Sequence, residues 1–210
     1  MFANNCLQAR GPIRSEADLI GRRLAKRWNR GNPYMELTIR TATQEDIPRI
    51  KELMATSTAK ILSQFLTAEA VARSYDSMGM DTQLIEDDTY YLVFIGEALV
   101  GCGGWSKRRT LYGGDHSTNR DDATCDPETE SAKIRAMYTH PDYIRRGIGR
   151  ALLEYSEAAA KAVGFKTVEL GATAAGLPLY QACGYEAVED LSETDEDCIT
   201  VPIILMTKTI

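Results

Sequence analysis

The chain has 210 residues, 44% of them hydrophobic and 26% charged, with a formal net charge of -6. That composition excludes a wholly disordered chain, and the length favours one domain with at most an appendage. No apolar run approaches the roughly 18 residues of a membrane-spanning helix, and an acidic main body argues against general nucleic-acid binding.

Residues 1–34 carry seven Lys and Arg against Glu16 and Asp18, a local +5 that leaves -11 for the remainder. Ala17 to Trp28 reads either as a basic amphipathic helix, through Leu19, Ile20, Leu24 and Trp28, or as part of a poorly ordered extension ahead of Met35. The first reading fits a partner, an acidic surface or an organelle-targeting role. Gly31-Asn32-Pro33 marks the boundary, so we place a basic extension at 1–34 and a folded domain at 35–210.

From Met35 the elements alternate between strand and helix patterns, as in an α/β or α+β domain. Leu37 to Arg40 alternates as a strand. Thr43, with Asp46 three residues on, predicts a capped helix to about Leu62, and Thr67 caps a second one through Val71 and Tyr75. Tyr90–Ile95 and Ala98–Arg109 predict a hairpin around Gly96-Glu97, whose glycines 101, 103 and 104 point to a bulge or a close backbone approach. Gly113 to Ser131 is polar and acidic, either bordering a substrate site or forming a solvated excursion.

The most informative stretch runs from Ala132 to Leu153. Ile134, Ala136 and Tyr138 alternate with Lys133, Arg135 and Met137, Pro141 ends the strand, and Ile148, Leu152, Tyr155, Ala159 and Val163 then recur at helical spacing. The period changes at Arg145-Arg146-Gly147-Ile148-Gly149. A helix start presents unpaired N–H groups and the positive end of its dipole, and glycines admit a ligand close to the backbone. With Arg145, Arg146 and Arg150 alongside, this is an anion pocket suited to a pyrophosphate. Glycines alone would also serve a tight turn. A P-loop lacks its Gly-Lys-Ser/Thr ending here, and G-x-G-x-x-G fails at Leu152.

Ile134 to Leu153 resembles the acetyl-CoA-binding motif of the GNAT-type N-acetyltransferase superfamily, whose pattern Q/R-x-x-G-x-G/A falls on Ile144 to Gly149, with Ile144 in place of Gln or Arg. Downstream, Leu179-Tyr180-Gln181-Ala182-Cys183-Gly184-Tyr185 resembles the family's F-Y-x-x-x-G-F, with Leu179 in place of Phe. The resemblance implies a single domain built on a mixed, mostly antiparallel, splayed sheet flanked by helices. It implies acetyl-CoA as co-substrate, bound by Met137, Tyr138, Thr139, Arg145, Arg146, Gly147, Ile148, Gly149 and Arg150. It implies direct transfer to a primary amine, small-molecule or peptide, with Tyr180 protonating the departing thiolate. A sensor that binds acyl-CoA without turnover, and a transferase for a longer acyl group, are the alternatives; a homodimer is compatible with either.

The general base stays unassigned. Lys133 occupies a position where some members carry Glu, and among His116, Asp115, Asp122 and Glu169 nothing selects one. Trp105, Arg108 and Arg109 read as acceptor-pocket residues or as an ordinary strand end. Five scattered cysteines without a C-x-x-C pair suit a reducing cytoplasm, and with only two histidines and no metal-ligand spacing no metal is expected.

Overall fold

The computed structural model describes residues 37–210 apart from Asn119, Asp195 and Asp197; the basic extension at 1–34 lies outside the described residues. Strand β1 (Leu37–Thr41) leads through a capped turn into helix α1 (Ile47–Lys60). The expected capping box is present: the Thr43 N–H donates to Asp46 Oδ2 at 2.9 Å. Arg40 adds a two-pronged ion pair to the same carboxylate at 2.6 and 2.7 Å, which holds the Asp46 pKa down at about 2. Helix α2 (Ala68–Ser74) starts at Thr67, whose hydroxyl accepts from Ala70 N–H at 3.3 Å, and a single turn, α3 (Gln83–Glu86), follows.

Strands β2 (Tyr90–Ile95) and β3 (Ala98–Ser106) form the predicted hairpin, β3 ending three residues short of Arg109. Then come β4 (Ala132–Thr139), α4 (Ile148–Ala162), β5 (Thr167–Thr173), α5 (Leu177–Ala182), β6 (Glu186–Asp190), the short pair β7 (Glu193–Thr194) and β8 (Thr200–Val201), and β9 (Ile203–Thr209). One seven-stranded sheet runs in the order β1-β2-β3-β4-β5-β9-β6, antiparallel everywhere except between β4 and β5. The architecture is the open, mixed sheet flanked by helices that the sequence predicts.

Alternation along β2 divides two cores across this sheet. Tyr91 and Val93 face α4, where they meet Ile148, Ala151, Leu152 and Tyr155. Tyr90 and Leu92 face α1, with Ile50, Leu53, Met54, Leu84 and Cys102. The glycines of β3 permit close approach: a Cβ at Gly104 would lie 2.0 Å from the Thr89 carbonyl oxygen, and one at Gly103 would lie 2.5 Å from Met137 Sδ. The 107–131 segment folds back on itself, with Arg109 N–H to Ala123 O and Thr110 N–H to Asp121 O both at 3.0 Å.

Two features of β4 shape the gap beside it. The strand pairs with β5 only at Ala132–Val168 and Lys133–Glu169, where the Lys133 ammonium meets Glu169 at 2.6 Å; beyond that ion pair the strands part. Strict alternation also fails. Two residues, Ala136 and Met137, oppose Gly103 alone, so Arg135, Ala136 and Tyr138 sit toward α1 while Ile134 and Met137 sit toward α4. Ala136 takes a left-handed φ of 51°, the conformation such a bulge demands and one that costs a non-glycine residue about 1 kcal/mol.

Burial raises the pKa values of Tyr90, Tyr91, Tyr138, Tyr180 and Tyr185, Tyr91 and Tyr180 to about 12. The unfolded chain ionises its tyrosines near pH 10, before the folded one does. Stability is therefore full below about pH 10 and lost as pH rises toward 12. The expected result is a flat Tm up to about pH 9.5 and a steep fall above it, coincident with tyrosinate absorbance. A Tm unchanged to pH 12 would contradict the burial of these phenols.

Candidate active site

The gap between β4 and β5 opens into a cleft of about 240 Å³. Its walls come from β4 (Arg135 to Thr139), from the start of α4 (Gly149, Leu152) and from the segment around α5 (Gly176, Leu179, Tyr180), with Leu111, Tyr112 and Gly113, where the excursion begins, at one side. Of the 113–131 excursion only Gly113 borders the cleft, and most of the rest is solvated.

At the mouth, the chain turns sharply into α4. Arg145 has φ 61° and Gly147, the N-cap, has φ 81°. The first bond of the helical ladder runs from Ala151 N–H to Gly147 O at 2.9 Å, so the amides of Ile148, Gly149 and Arg150 stand ahead of it. A Cβ on Gly147 would meet nothing within 4 Å, whereas one on Gly149 would lie 2.8 Å from Leu179 Cδ2. Gly147 therefore fronts open space and Gly149 lets α5 pack close. Arg145, Arg146 and Arg150 are exposed around this turn; Arg146 lies over the Tyr143 ring at 5.1 Å, and Arg150 donates to the Ala182 carbonyl at 3.0 Å, tying α5 to α4. Ile148 opens the apolar stripe expected of α4. Its side chain is buried against Gly101, leaving only its backbone to face a ligand.

Deeper in, Tyr180 projects from α5 with its ring 5.8 Å from that of Tyr185 and tight against Gly176, where a Cβ would lie 2.7 Å from Tyr180 Cε2. The residue is 8% exposed, and its hydroxyl makes no hydrogen bond to any described residue. Tyr185 is braced from behind by Glu157 at 3.0 Å, which in turn takes Lys208 at 2.6 Å. Desolvation keeps the Tyr180 phenol protonated at ordinary pH.

Across the cleft lies a buried charge cluster that the sequence did not reveal. Arg135 Nη1 sits 2.6 Å from Asp81 Oδ2 and Nη2 donates to Gly113 O at 2.6 Å. Arg120 reaches the other Asp81 oxygen at 3.0 Å and the Gly114 carbonyl at 3.1 Å. The cluster fastens the loops that carry Gly79 and Gly113 to β4. Its only sequence signal was an arginine alternating with apolar residues in a strand.

The base candidates do not converge on the cleft. Glu169 is paired with Lys133, Asp115 accepts from Thr82 N–H at 2.8 Å, Asp122 pairs with Arg120, and His116 is exposed. Trp105 is buried with Nε1 donating to Tyr91 at 3.1 Å, Arg108 is paired with Asp87 and Arg109 with Glu130, and none of the three lines this cleft. Among the described residues there is no cluster of metal-ligating side chains, and no helix is long and apolar enough to cross a membrane.

A sequence profile of the acetyltransferase (GNAT) family matches residues 55–185, and the chain belongs to that family. The fold is similar to a GCN5-related N-acetyltransferase from Rhodopseudomonas palustris, with a TM-score of 0.59, 18% identity, and 82% of this chain and 95% of that one covered. It is also similar to the PaiA N-acetyltransferase of Thermoplasma acidophilum, solved with coenzyme A (TM-score 0.56, 15% identity, 84% and 100% covered). A third likeness is YncA of Salmonella typhimurium, a putative acetyltransferase solved with acetyl-CoA (TM-score 0.54, 16% identity, 82% and 93% covered). No curated protein matches the chain.

Proposed function

We propose that this acyltransferase moves an acetyl group from acetyl-CoA directly to a primary amine. The observation that supports the reading is that one cleft is lined by Gly149 at the start of α4, by Met137 to Thr139 of β4 and by Tyr180. Open space in front of Gly147 would take the pyrophosphate, and the gap between β4 and β5 the pantetheine and acyl arm. The amides of Ile148, Gly149 and Arg150 hold the phosphates, with Arg145 and Arg146 adding charge from solvent. A β4 amide at Met137 polarises the thioester carbonyl, and Tyr180 gives its proton to the departing thiolate. Holding both reactants in line supplies much of the rate, and no covalent enzyme intermediate is needed. The scattered cysteines, of which the four described are free, fit a cytoplasmic setting.

The test measures thiol release from acetyl-CoA across a panel of amines: polyamines, amino acids, aminoglycosides, and peptides with free N-termini or lysines. Turnover on one class supports the reading and names the acceptor. The Gly147→Ala variant, forced to hold an L side chain at φ 81°, should bind acetyl-CoA about tenfold more weakly. Binding without turnover on any amine would turn the reading to a sensor, and no binding of acetyl-CoA would sink it.

A further inference from the structure

Tyr90 is buried two strands away from the cleft, yet its hydroxyl ends on the backbone of the strand that lines it. Tyr90 Oη lies 3.0 Å from the Ala136 carbonyl oxygen, across a sequence separation of 46 residues. Cys102 Sγ lies 3.3 Å from the same hydroxyl. The hydroxyl has one proton and the carbonyl can only accept, so that proton belongs to Ala136.

The direction of this carbonyl fixes the direction of the next amide. No peptide bond is cis, and in a trans unit C=O and N–H point opposite ways. With the Ala136 carbonyl held toward Tyr90 on the β3 side, the Met137 N–H turns toward the gap. The ladder gives the same phase independently. His140 N–H donates to Val100 O at 2.9 Å, and the register continues through Thr139–Gly101 to Tyr138–Cys102. Backbone groups alternate along an antiparallel edge, so the Tyr138 N–H faces β3 while those of Met137 and Thr139 face the gap.

The bulge that creates this arrangement is strained, since Ala136 holds φ 51°, and such residues persist only where their surroundings over-determine them. The Tyr90 hydroxyl, bonded to the Ala136 carbonyl, is one such constraint. We propose that Tyr90 is a positioning residue: by hydrogen-bonding the Ala136 carbonyl it aims the Met137 N–H at the thioester carbonyl oxygen. This rests on the acetyl-CoA reading of the cleft and adds the residue that sets the polarising amide.

The test compares two coenzyme A derivatives by calorimetry: a ketone analogue with methylene in place of the thioester sulfur, and S-ethyl-coenzyme A, which lacks the carbonyl oxygen. The wild type should prefer the ketone about five- to tenfold, the worth of one net hydrogen bond. Tyr90→Phe should cut that preference to under twofold and lower kcat about tenfold or more, with S-ethyl-coenzyme A bound as before. Cys102→Ala disturbs the same buried layer but spares the bond to Ala136, and should keep the preference. A Tyr90→Phe variant that retains the wild-type preference overturns the inference, and so does equal loss in Cys102→Ala. A wild type that binds neither compound instead overturns the acetyl-CoA reading, and this inference falls with it.

Discussion

Replacing Tyr180 with Phe is expected to lower kcat by about 10²- to 10⁴-fold while leaving the KM for acetyl-CoA within a few-fold, the range for loss of a positioned general acid. The hydroxyl makes no hydrogen bond to any described residue, so its removal leaves no orphaned partner there and Tm should move little. A phenol held at about pKa 12 gives up its proton reluctantly. The same burial raises the proton affinity of a thiolate generated beside it, so donor and acceptor are matched by one environment. It follows that Tyr180 stays protonated across the working range and contributes no falling limb to the pH–rate profile below about pH 11. Stopped-flow or steady-state thiol release, with acetyl-CoA binding measured in parallel, separates the two parameters. A Phe variant with unchanged kcat would remove Tyr180 from the mechanism while leaving the binding cleft in place.

The largest stability effect is expected at Arg135. Its side chain is 3% exposed and that of Asp81 fully buried, and breaking a buried pair strands a charge at a cost of about 3–5 kcal/mol. Arg135→Ala also takes the donor from the Gly113 carbonyl, although Arg120 keeps its hold on Asp81. For a chain of this length Tm should fall by roughly 6–20 °C. The order of the variants checks the cause. If the stranded carboxylate is responsible, Asp81→Asn combined with Arg135→Met should be more stable than Arg135→Met alone. A loss under about 1 kcal/mol in Arg135→Ala would mean that water or Arg120 already satisfies Asp81. Because Gly79 and Gly113 line the cleft, a folded Arg135 variant should also bind acceptor more weakly.

Local chemistry was legible in the sequence because local rules decide it. Thr43 with Asp46 and Thr67 capped the turns they were expected to cap, since a short polar side chain reaches an amide about three residues away whatever the rest of the chain does. The glycines of β3 announced close approach, and the change from strand to helix period at Arg145 to Gly149 located the turn into α4. The two motifs pointed to the family, which the profile match shows, and to an open sheet that the fold displays.

The bulge was legible from one side only: glycines 101, 103 and 104 pointed to a bulge or a close approach and the register shifts at Gly103, but the extra residue in β4 was not visible. Alternation predicted Ile134, Ala136 and Tyr138 on one face, but an inserted residue has no signature when the slot it fills is set by Gly103 and the anchor that holds it is Tyr90. The candidate bases scattered for the same reason: which face of an element is free depends on what packs against it. Caps, turns and element types followed from the sequence alone, because interactions within a few positions govern them. Only the tertiary structure decided where β4 parts from β5, which amide faces the gap, and that Asp81 meets Arg135, because each depends on groups brought together from distant parts of the chain.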